Sequence, residues 1–71
     1  MRQSDEAALI AAHAARDAPT LVQIYRAHAE SLGDEDAAAF YMTQAYVWAL
    51  EGGMPEAREL HDWLKARGRE A

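Results

Sequence analysis

Three histidines, His13, His28 and His61, are the residues best suited to chemistry in this chain, which is otherwise rich in carboxylates. Neutral imidazole binds metals and moves protons near neutral pH, so spacing decides whether such residues can form a site. Helical metal sites put two ligands on one face, through Glu-x-x-His or two His at i and i+4. Neither spacing occurs. Asp62 directly follows His61 and so points elsewhere on a helix, while His13 and Asp17 are spaced as a capping or ion-pair contact would be. No metal and no cofactor is expected. His28 stands apart because it falls in an apolar stripe between Tyr25 and Leu32. There it is expected to bond a tyrosine hydroxyl or a carbonyl, or, as the alternative function, to line a small-ligand or metal-binding pocket with neighbouring tyrosines.

Catalysis has little to work with. Absence of cysteine removes thiol chemistry, disulfides and cysteine-ligated zinc. Ser4 and Ser31 sit at helix ends, where serine caps, and Asp34, Glu35 and Asp36 crowd a helix N-terminus, which accounts for them electrostatically. A chain of 71 residues also encloses little volume for a pocket. It is not expected to be an enzyme. The aromatics point to contact instead: Tyr41, Tyr46, Trp48 and Trp63 are many large rings for so small a core, and such residues are enriched at interfaces. They are the interface candidates.

The elements that must position these residues are helical. Alanine supplies 17 of the 71 residues, and the few β-branched residues do not alternate as strands require. A single domain spanning 1–71 is expected, with four short antiparallel helices over about 5–16, 19–32, 35–51 and 55–67. Ser4 would cap the first, which carries only Leu9 and Ile10 as large apolar residues. Pro19 and Pro55 suit first turns, and Gly33, Gly52–Gly53 and Gly68 suit ends, with Gly33 in the left-handed conformation. In the second helix Leu21, Ile24, Tyr25, His28 and Leu32 form one stripe, and in the fourth Ala57, Leu60 and Leu64 do. The third has no charged residue from Ala37 to Leu50, so it is expected to be central and covered on more than one side. Its Ala38, Ala45 and Ala49 make a small-residue seam, Tyr41 and Trp48 one flank, and Phe40 and Val47 another.

Charge narrows the partners. The net charge is −5, with −4 of it between residues 34 and 53, and no basic patch could neutralise phosphates. Nucleic acid and anionic membrane surfaces are disfavoured. The N-terminus lacks the pattern of a secretory signal, and the longest uncharged run of 14 residues is too short to span a bilayer. A cytoplasmic location is expected. So small a domain buries only about 60% of its unfolded surface, which leaves a marginal core and favours association.

Gly33 recurs as Gly52 and Ala38 as Ala57, each pair marking a turn and then an alanine early in the next helix. Leu32-Gly33-Asp34-Glu35-Asp36-Ala37-Ala38, with Ala45 seven residues on, resembles the second half of a tetratricopeptide repeat. The stretch from Gln44 to Ala57 is similar to the related Sel1-like repeat, in which an aromatic helix ends at glycine. The resemblance covers about residues 20–68, with room for about two repeats. It implies helical hairpins packed around the third helix. A marginal core beside so many apolar and aromatic residues leads separately to the expectation of a non-enzymatic protein–protein interaction module that holds a protein partner or a second copy of itself.

Overall fold

The computed structural model of the chain describes residues 3–69, with side chains from residue 6 onward. Four helices follow one another: α1 (Gln3–Ala15), α2 (Ala18–Ser31), α3 (Glu35–Glu51) and α4 (Glu56–Ala66). The expected all-α class is observed, and no helix end lies more than two residues from its expected place. Ser4 sits inside α1 rather than before it, and its side chain is outside those described.

Local chemistry explains the boundaries. At the start of α2, the Asp17 carboxylate accepts from the Thr20 amide at 3.4 Å and from the Thr20 hydroxyl at 2.6 Å, with Pro19 in the first turn. Asp34 caps α3 by accepting from the Asp36 amide at 2.9 Å. Three helices end alike, on one left-handed residue bracketed by two amide bonds reaching back three and five residues. For α3 that residue is Gly53, with bonds from Gly53 to the Leu50 carbonyl and from Met54 to that of Ala49. For α4 it is Gly68. For α1 it is Arg16, whose φ of 52° is unusual for a residue with a β-carbon. Gly33 does not take the left-handed role expected of it. Helix α2 instead ends through an extended Leu32, with the Ser31 hydroxyl donating to the His28 carbonyl at 2.7 Å.

Helices α2, α3 and α4 alternate in direction, as paired contacts show. Ala18 lies against Gly52 while His28 meets Tyr41, which sets α2 against α3 in opposite directions. Tyr46 meets His61 and Glu35 pairs with Arg67, which does the same for α3 and α4. Close backbone approach among the described helices is confined to sequence neighbours. Alternate helices touch only through side chains: His13 of α1 and Arg16 just beyond its end reach Trp48 and Glu51 of α3, and Arg26 of α2 reaches Glu59 of α4. The chain thus zigzags through a slab of 32 × 29 × 12 Å. Helix α3, packed between α2 and α4 and touched by α1, is central.

Leu21, Leu60 and Leu64 are the largest fully buried side chains, and each withdraws apolar surface worth about 1.5–3 kcal/mol. The alanine seam of α3 is buried as well, at Ala38, Ala45 and Ala49. In α2 the buried face is Ala18, Leu21, Val22, Tyr25 and Ala29. It is turned slightly from the expected stripe, so Ile24, His28 and Leu32 are half-buried at its edge. The rotation follows from Ala18 and Ala29, small residues that let α3 come close where the bulkier stripe would hold it off.

Candidate interaction surface

The four aromatics singled out in the sequence lie around the rim of the core, each half-buried and packed against it. At 100° per residue, Tyr41 and Trp48 share one flank of α3 and Tyr46 lies on the other. Tyr41 faces α2, with its ring 6.3 Å from Tyr25 and 4.4 Å from His28. Trp48 receives His13 edge-on at 5.4 Å and lies 6.0 Å from the Arg16 guanidinium. Tyr46 meets His61 at 5.6 Å, and Trp63 of α4 carries the Arg67 guanidinium over its ring at 3.8 Å.

Each histidine therefore rests against an aromatic of α3. His13 also joins α1 to α2, its Nε2 lying 2.8 Å from the Tyr25 hydroxyl. The anticipated contact between His13 and Asp17 is not formed, because Asp17 is spent on capping α2. His28 makes its ring contact edge-on with Tyr41. No group of three or more metal-ligating side chains converges among the described residues.

Burial raises the pKa of Tyr25 above the ordinary value of 10.0, with the neighbouring Tyr41 adding to the shift. A phenol shifted upward in the folded state keeps its full contribution to stability below that ordinary value. The contribution is lost as pH rises through the folded-state pKa. Thermal melts are therefore expected to weaken above pH 10.0 in the wild type, with Tyr25→Phe losing less over the same range. Equal losses in both proteins would show that Tyr25 is not the responsible group.

The large apolar residues left most open are different ones: Phe40 at 58%, Val47 at 49%, Leu50 at 56% and, on α1, Ile10 at 70%. Sequence reasoning placed Phe40 and Val47 on a flank of α3 but did not single them out as exposed, and it missed Leu50. The signal was present in the spacing. Residues 40, 43, 47 and 50 alternate by three and four, the period of a helix–helix seam. The remaining member, Thr43, is half-buried and donates its hydroxyl to the Ala39 carbonyl at 2.8 Å. No charged side chain interrupts the stripe between Ala37 and Leu50.

The described residues thus form an all-α chain whose α2, α3 and α4 alternate in direction and whose central helix shows one apolar stripe to solvent. No described helix is long and apolar enough to cross a membrane. Compared with protein-family models, curated proteins and solved structures, the chain finds no match in any of the three.

Proposed function

We propose that this chain is a small non-enzymatic protein–protein interaction module, of tetratricopeptide-like build, that pairs with a second copy of itself through the outer face of α3. The observation that carries the reading is the uncharged stripe of Phe40, Val47 and Leu50, about half exposed on the central helix. Such a stripe loses its contact with water when two copies meet, and a twofold axis makes it its own complement.

The repeat-like build draws support from the contacts between alternate helices. His13 to Trp48 and Arg16 to Glu51 both join residues 35 apart, and Arg26 to Glu59 joins residues 33 apart. A near-constant offset of this size is what two stacked helical hairpins of one repeat class produce. A cytoplasmic setting belongs to the same reading, in keeping with a chain that uses no cysteine.

Light scattering coupled to size exclusion tests it. Over a concentration series the wild type is expected to approach twice 7.9 kDa, and Phe40→Asp or Val47→Asp to remain monomeric with an unchanged helical circular dichroism spectrum. A wild type that stays at 7.9 kDa at every concentration overturns the self-association.

A further inference from the structure

Behind α3, on the side opposite the apolar stripe, α2 and α4 stand apart without backbone contact and leave a trough between them. Met42, which belongs to its floor, lies 200° around α3 from Phe40 at 100° per residue. One part of the trough is a cavity of about 350 Å³ in which Met42, Leu60 and Trp63 supply apolar wall. It continues past Arg26 and Glu30 into a second hollow of about 440 Å³ floored by Val22 and Met54.

The rim is acidic. Glu30, Glu59 and Asp62 border the first hollow and Glu30 and Glu56 the second, against a single guanidinium, Arg26, that borders both. Arg26 lies across the trough like a bar, paired with Glu59 on α4 and 3.5 Å from Glu30 on its own helix. Its pKa is raised, chiefly by the bond to Glu59. A surplus of carboxylates around an apolar hollow, with Arg26 seated among them and Arg67 stacked on the Trp63 ring at its end, is a negative image of a basic, partly apolar chain.

We propose that this trough docks a basic segment of a partner protein. An apolar side chain of the segment packs on Trp63 over the buried Met42 and Leu60 at the floor of the hollow, and lysine or arginine residues flanking it are received by Glu30, Glu59 and Asp62. Arg26 holds the place of one ligand cation in the free protein and is displaced on binding. Charge complementarity selects this occupant: the whole chain carries −5, and an acidic segment would meet repulsion along both rims. The trough lies on the opposite side of α3 from the self-pairing stripe, so neither surface needs the other.

Fluorescence titration with the peptide (Lys-Leu-Lys-Lys)₃-amide tests the proposal, read in a Trp48→Phe background so that Trp63 reports alone. Saturable binding that weakens with added salt is expected. Glu59→Gln combined with Asp62→Asn should weaken it at least tenfold, and Arg26→Ala should tighten it several-fold, with helical content checked by circular dichroism. The peptide (Glu-Leu-Glu-Glu)₃-amide should not bind, and (Lys-Gly-Lys-Lys)₃-amide should bind far more weakly. Equal affinity for the glycine peptide, or affinity indifferent to the three trough substitutions, would mean diffuse attraction to an acidic surface and overturns the proposal. So would an Arg26→Ala protein that gains mass by itself in light scattering, since a second copy would then be the occupant.

Discussion

Leu64→Ala is expected to remove a large part of the stability of this chain and to lower its melting temperature by roughly 10–25 °C. Leu64 is completely buried on α4, where it joins the core with Leu60 and Leu21. Truncating a buried leucine forfeits its transfer free energy and leaves a cavity, together worth about 2–5 kcal/mol. At roughly 0.05–0.15 kcal/mol per residue, a domain of 71 residues holds about 4–10 kcal/mol in all. One substitution therefore removes something near half of it. Ile10→Ala provides the contrast, because Ile10 is 70% exposed and its truncation should stay within about 0.5 kcal/mol. Urea or thermal unfolding followed by circular dichroism measures both. Similar losses at the two positions would mean that the buried side of the slab has been assigned wrongly.

Gly52→Ala should destabilise by about 1–3 kcal/mol, for a reason that helix propensity would not suggest. Gly52 has a φ of −86°, where alanine is ordinarily the better residue. A β-carbon added there, however, would sit 2.8 Å from the β-carbon of Ala18. Neither atom can turn aside, since each is fixed to its backbone at a helix end. The clash outweighs the propensity, and α2 must move away from α3. Reducing the opposing residue should reverse the effect: in an Ala18→Gly background, Gly52→Ala becomes neutral or stabilising. The double-mutant cycle should yield a coupling of about 1–3 kcal/mol. Gly53→Ala serves as the control. Its φ of +62° makes the substitution unfavourable whatever stands at position 18, and no coupling is expected.

The adjacent glycines show how far local sequence could be read. Gly-Gly after an apolar run announced the end of α3, and the left-handed Gly53 is the residue that ends it. That its neighbour Gly52 is needed to let Ala18 approach was not legible, because Ala18 is 34 residues away along the chain. Arg16 makes the converse point. No glycine marks that position, yet the backbone takes the left-handed turn there, and the side chain goes on to reach Glu51. The histidines follow the same division. Their spacing spoke against shared ligation, but their pairing one by one with Tyr41, Tyr46 and Trp48 depended on the packing of four helices.

By itself the sequence determined that the chain is helical, where its helices begin and end to within two residues, and that the third is central. Those properties rest on alanine content, on caps such as Asp17 and Asp34, and on a run free of charge, all of which act within a turn or two. Only the tertiary structure decided which side of α3 remains open. An amphipathic helix declares its buried face through the contrast between its sides. A helix without charge for fourteen residues offers no such contrast, and its rotation is settled by which neighbours can come closest. The buried alanines at 38, 45 and 49 draw α2 and α4 onto their side, and Phe40, Val47 and Leu50 are left facing water.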